Sequence, residues 1–207
     1  ISCGYSAADV FFNLENEAQP LALRSEDDRL DFFGRYEQMI LETAGVPVSA
    51  DLAQRIWKMA TTVPKDFTPF EDTIPALAEL RGKGYSLGVI SNLRRDMDHL
   101  SQRLGLAEYL DFSINSEQAG AEKPHPGIFL TALERSSVSP EEALHVGDQY
   151  RSDVLGARAV GMHTVLIDRG GWHPEINDCP RIFSLSELVE LLEQAPESLA
   201  IKDKAHS

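Results

Sequence analysis

From Phe70 onward, short apolar runs alternate with segments at helical spacing, and no other feature restricts the fold of this chain as much. Residues 85–90, 111–114, 143–146 and 163–167 read as strands; 73–83, 95–104, 126–134, 152–160 and 186–192 read as helices. Gly105 and Gly161 stand just past two of those helices, where a left-handed residue ends the last turn. A repeated strand–helix order with apolar strands predicts a Rossmann-like α/β fold, one parallel sheet with helices on both faces. In such sheets ligand chemistry gathers at the carboxyl ends of the strands. The loops after Ile90, Ile114, Val146 and Ile167 are therefore where functional side chains are expected.

The first third is patterned differently. Leu30, Phe33, Tyr36, Ile40 and Leu41 follow three-and-four spacing, with Ser25 placed to start the helix and Gly45 and Pro47 to stop it. A second helix starts at Ser49 and runs through Ala53, Ile56, Trp57 and Ala60 to Pro64. The expected organisation is a small helical region over 1–68, an α/β core over 69–195 and a polar tail over 196–207. Trp57, Phe32 and Phe33 suit core packing better than a pocket lining.

Charge narrows the partners. Over 207 residues the formal net charge is −14 and no Lys/Arg cluster interrupts it, which argues against nucleic acid. A small anionic substrate on this background requires local positive charge, which a bound cation supplies. No apolar run approaches the ~20 residues of a membrane span, and no secretory pattern opens the chain. Cys3 and Cys179 lie in no metal-ligand spacing and read as free thiols, consistent with a cytoplasmic or organellar setting. The chain opens on Ile1 rather than Met, which reads as a processed product or a fragment.

Each candidate loop carries polar groups with two readings. Ser91 and Asn92 follow the first strand; they suit an anion at a helix start and equally a plain helix cap. Lys123 precedes Pro124, which stiffens its backbone and aims its ammonium group, although a solvated Lys is the commoner case. Asp148 and Asp153 follow the third strand. Mg²⁺ takes oxygen ligands, usually one or two carboxylates with waters and a phosphate, whereas the same two residues also serve as a helix cap and a dipole partner. Asp168, Gly170 and Gly171 after the fourth strand read as loop chemistry.

Taken in order, these elements are more specific. Ile90, Ser91 and Asn92, then Glu122, Lys123 and Pro124 with Phe129, then Gly147, Asp148, Asp153, Gly156 and Ala157 resemble motifs two, three and four of the haloacid dehalogenase-like superfamily. The resemblance runs from about Phe70 to Gly171 and is nearest the subgroup named for haloacid dehalogenase-like hydrolase domain-containing protein 3. It implies that the helical region is a cap. It further implies a phosphatase-type hydrolase acting on a small phosphorylated metabolite through an aspartyl phosphate. Ser91 and Asn92 then bind phosphoryl oxygens, Lys123 neutralises charge on nucleophile and phosphate, and Asp148 and Asp153 serve Mg²⁺, with Asp153 holding metal waters or Lys123. The acidic pair favours phosphoric ester hydrolysis over carbon–halogen cleavage; a 2-haloacid dehalogenase, a phosphomutase and a non-catalytic binding member are the alternatives.

Motif one, an apolar strand followed by Asp-x-Asp, is not found. Asp9 precedes Val10 and Phe11, but no convincing strand leads into it; Asp27, Asp28 and Asp31 lie in helical pattern, and Asp66 lies on the connector. The expectation is a chain without nucleophile or general acid/base, inactive as it stands. Its sheet then lacks the central strand, leaving either a gap of about two ladder spacings, ~10 Å, or direct pairing of the neighbouring strands. A chain of this kind is expected to be less stable than a complete relative.

Overall fold

The computed structural model describes residues 2–19, 21, 24–63, 66–93 and 95–194; Pro64 and the expected tail at 196–207 lie outside them. The chain divides into two compact units, Ile1–Asp66 and Phe67–Ser207.

Among the described residues the first unit contains three α-helices, α1 (Ser2–Ala18), α2 (Glu26–Thr43) and α3 (Ala50–Thr62). Ser25 and Ser49 start α2 and α3, each hydroxyl accepting a backbone N–H three residues on, from Asp28 and Leu52. α1 is a helix for which the sequence offered no start signal comparable to Ser25 or Ser49. Its close approach to α2 depends on Gly4, where a Cβ would stand 2.5 Å from the carbonyl oxygen of Ile40. The core of the unit is aromatic: Phe32 is buried between Phe11, Phe12 and Phe33, and Phe33 stacks on Trp57 at 4.3 Å. These rings are packing residues, as their spacing suggested.

The second unit runs α4 (Thr73–Gly82), β1 (Gly88–Ser91), α5 (Met97–Arg103), β2 (Phe112–Asn115), α6 (Ser116–Ala119) and α7 (Pro126–Ser136). It continues with β3 (Leu144–Gly147), a wide π-helical turn Tyr150–Leu155, α8 (Gly156–Arg158), β4 (His163–Ile167), β5 (Arg181–Ile182) and α9 (Leu185–Gln194). Every strand pairing is parallel. Two apolar clusters form the core. One joins Ile114 to Ile128, Phe129, Ala132 and Leu133 of α7 and to Ala157 of α8. The other joins Val165 and Ile182 to Ala76 and Leu80 of α4 and Leu188 and Val189 of α9. Alternation along β3 feeds both sides: Leu144 and Val146 reach the second cluster, while His145 meets the Phe129 ring edge-on at 5.2 Å. Helices thus cover both faces, as expected for this fold class.

The ladder is not continuous. Among the described residues β1 pairs with β2, and β4 pairs with β3 on one side and β5 on the other, giving two sheets in place of one. Of the two outcomes expected for a sheet without its central strand, direct pairing of β1 with β3 is not the one observed. Val89, Ile90, Val146 and Gly147 are only partly buried, whereas Ser113 to Asn115 of β2 and Thr164 to Leu166 of β4 are buried. What unites the two sheets is side-chain packing. Leu87, at the entrance to β1, belongs to the same cluster as Leu144 and Val146.

Candidate functional site

The carboxyl ends of β1 and β3 are connected by a chain of polar contacts that passes through Lys123. At the end of β1, the Asn92 side-chain amide pairs with the Lys123 backbone: Oδ1 accepts its N–H at 2.7 Å and Nδ2 donates to its carbonyl at 3.0 Å. The backbone of the loop after β2 is thereby held against the end of β1, and the Lys123–Pro124 peptide within it is cis. The Lys123 ammonium then donates to Asp153 Oδ1 at 2.6 Å. Asp153 belongs to the wide turn after β3, and its side chain is 3% exposed against 16% for Lys123.

Asp153 is a hub. His145 Nε2 lies 3.1 Å from Oδ1, and the backbone N–H of Gln149 donates to Oδ2 at 3.0 Å. Burial opposes charge on this carboxyl. The hydrogen bond from His145 and the charges of Lys123 and His145 outweigh it and hold Asp153 well below the usual carboxylate range. The carboxylate folds back over Gly147, where a Cβ would lie 2.2 Å from Asp153 Cγ, so the glycine before Asp148 is a requirement of space. Both of its oxygens are engaged, Oδ1 with Lys123 and His145 and Oδ2 with the Gln149 N–H.

Asp148 is different. It stands exposed at the rim of β3. Crowding by the protein on its inner side and then the Asp153 charge push its carboxyl above the ordinary value, against the smaller pull of Lys123 and His173. A carboxylate raised by a like charge and still open to solvent is a donor that a divalent cation relieves. Among the described residues no three His, Cys, Asp or Glu side chains form a metal cluster. One protein carboxylate is nonetheless within what Mg²⁺ uses when waters and a phosphate complete its shell. The Ser91 hydroxyl accepts the N–H of Leu93 at 3.1 Å, the local cap that its position allowed.

The structure therefore brings Asn92, Lys123 and Asp153 into direct contact, places Asp148 within electrostatic reach of both Lys123 and Asp153, and sets Ser91 beside Asn92. Asn92, expected on the phosphate, is occupied with the Lys123 backbone. His145 was missed by the sequence reading; its one signal was an imidazole in the middle of an otherwise apolar strand. His125, given no role from sequence, caps α7 by accepting the Gly127 N–H at 3.0 Å.

Comparison with known proteins bears on this arrangement. The sequence model of the family described as haloacid dehalogenase-like hydrolase matches residues 11–167. Haloacid dehalogenase-like hydrolase domain-containing protein 3 of Mus musculus is 39% identical over 141 residues, 64% of this chain and 55% of that protein. Glyceraldehyde 3-phosphate phosphatase of Methanopyrus kandleri is 38% identical over 133 residues, 62% of this chain and 57% of that protein. The matched stretch thus spans about half the length of these relatives. Among solved structures, a HAD phosphatase from Thermococcus onnurineus is 27% identical with a TM-score of 0.58, covering 79% of this chain and 87% of that one. A 2-haloacid dehalogenase from Pseudomonas syringae pv. Tomato DC3000 is 28% identical with a TM-score of 0.56, covering 93% and 91%. On the family match, the relatives and the shared fold, this chain belongs to the haloacid dehalogenase-like hydrolases.

Proposed function

We propose that this chain carries the phosphoryl- and cation-binding part of a Mg²⁺-dependent phosphatase of small phosphoric monoesters. The observation that carries this reading is the Lys123 ammonium, clamped by Asn92 through its backbone and by Asp153 through its tip, beside the exposed Asp148. A fixed cationic group near an exposed carboxylate suits a phosphate that shares a divalent cation with the protein. Lys123 and the Ser91 hydroxyl bind phosphoryl oxygens, Asn92 and Asp153 position Lys123, and Asp148 holds Mg²⁺. The cation, when bound, lowers the repulsion between an anionic nucleophile and an anionic substrate. Relatives named as glyceraldehyde 3-phosphate phosphatases support a phosphate ester as substrate over a haloacid.

The attacking aspartate of this reading belongs to a strand outside the described residues, seated between β1 and β3 and forming an aspartyl phosphate. The two unpaired strand edges and their half-buried side chains support that placement. The helical unit Ile1–Asp66 is assigned as the cap. In the setting of the complete protein, Asp148→Asn is expected to abolish Mg²⁺-dependent hydrolysis of p-nitrophenyl phosphate, while the present chain alone shows no turnover. Unchanged turnover of the Asn variant at saturating Mg²⁺ would remove Asp148 from the mechanism.

A further inference from the structure

The loop that leaves β4 is built around a buried carboxylate. Asp168, whose side chain is fully buried, accepts the backbone N–H of Trp172 at 2.7 Å on Oδ1 and that of His173 at 3.0 Å on Oδ2. Its own carbonyl accepts the Gly171 N–H at 3.0 Å. Gly171 takes a left-handed φ of 64°, and a Cβ on Gly170 would stand 2.1 Å from the Trp172 indole. Two glycines and a buried acid therefore fix one outcome: the Trp172 ring rests against the Gly170 backbone while the residue stays 58% exposed. Arg181 closes the loop from β5 by donating to the His173 carbonyl.

Its place in the fold matters as much as its rigidity. β3 and β4 are parallel with Gly147 opposite Leu166, so the segments that follow them, one opening with Asp148 and the other with Asp168, leave the sheet at the same rim. A scattered exposed aromatic needs no explanation. An indole held on a loop that spends a buried carboxylate and a left-handed glycine on its position is a different case, because a pre-ordered ring loses little entropy when a second ring stacks on it.

We infer that Trp172 is a specificity residue of this site, a stacking platform for the ester group of phosphomonoesters that carry a planar ring. This inference rests on the phosphoryl-binding reading above. Aliphatic phosphates meet the same Lys123 and Asp148 but have no face to lay on the indole.

The test is calorimetric titration of the chain, in MgCl₂, with phenyl phosphate and with glycerol 3-phosphate. Phenyl phosphate is expected to bind about fivefold more tightly, the size of one aromatic stack. Trp172→Ala brings the two dissociation constants to within about twofold, and Trp172→Phe restores most of the preference, which a merely structural change would not do. A preference that survives Trp172→Ala, or no preference in the wild-type chain while glycerol 3-phosphate binds, overturns the role of Trp172 and leaves the phosphoryl site standing. Failure of both esters and of inorganic phosphate to bind overturns the phosphoryl reading itself, and Trp172 with it.

Discussion

At the scale of single residues, two carboxylates show how the same group is set to different uses by its neighbours. Asp153 is buried among donors and held charged; Asp148, exposed at the rim but crowded by protein on its inner side, has its carboxyl pushed above the ordinary value by that crowding and then by the Asp153 charge. Spacing and composition alone leave both as a metal ligand or a helix-start residue, because neither tells which oxygen finds a donor. A third acid, Asp72, was not singled out. It accepts both Arg169 nitrogens at 2.9 and 3.0 Å and the Leu185 N–H at 2.7 Å, joining the start of α4 to the loop after β4 and the start of α9. Burial opposes its charge, and the Arg169 and Leu185 bonds overcome it, so its carboxyl lies below the ordinary value. The folded pKa is then lower than the unfolded value of about 3.9. The stabilisation is complete above that value and is lost as pH falls through the folded one. Asp72→Asn is expected to cost about 2 kcal/mol near neutral pH, with the deficit shrinking below about pH 4. Urea unfolding across this range checks it; a deficit constant down to the acid limb contradicts the linkage.

At the scale of elements, the strand–helix order was legible because parallel strands covered on both faces read as apolar runs. The boundaries moved for local reasons. The first run was expected from Tyr85, but the Leu87 N–H is taken by the Asp111 carboxylate at 3.0 Å, and the ladder starts only at Gly88. β5 has two residues, too few for any period, and α6 is a four-residue turn fixed by an Asn115–Gln118 capping box. The helix expected from Ser152 begins instead as a wide turn at Tyr150, the turn that carries Asp153. Close packing of α8 explains why its first residue is glycine. A Cβ on Gly156 would stand 2.8 Å from the Phe129 ring and 3.0 Å from Pro124 Cα, with backbone on one side that cannot swing away. Gly156→Ala is expected to destabilise by about 2 kcal/mol, whereas Gly82→Ala at the end of α4, with nothing within 4 Å, is neutral or slightly stabilising. Chemical denaturation of the two variants separates these cases, and equal midpoints would contradict the packing account.

At the scale of the whole molecule, the division of one expected sheet into two is the main structural finding beyond the family match. The second unit does not rely on a continuous ladder: Leu87, Leu144 and Val146 pack in one cluster under α4 and α9, and Asn92, Lys123 and Asp153 tie the carboxyl ends of β1 and β3 together. From sequence, Asn92 was expected on the phosphate and Asp153 on metal waters or Lys123; the hydrogen bonds put both on Lys123, Asn92 on its backbone and Asp153 on its ammonium group. The central claim is that this tie presents a phosphate site, and titration with inorganic phosphate in MgCl₂ addresses it most directly. The informative variant is Lys123→Met combined with Asp153→Asn, which removes both charges together and strands neither in the interior. The account predicts saturable binding that weakens at least about tenfold in the double variant, the loss of one charge-assisted contact. Equal affinity in a folded double variant would contradict it.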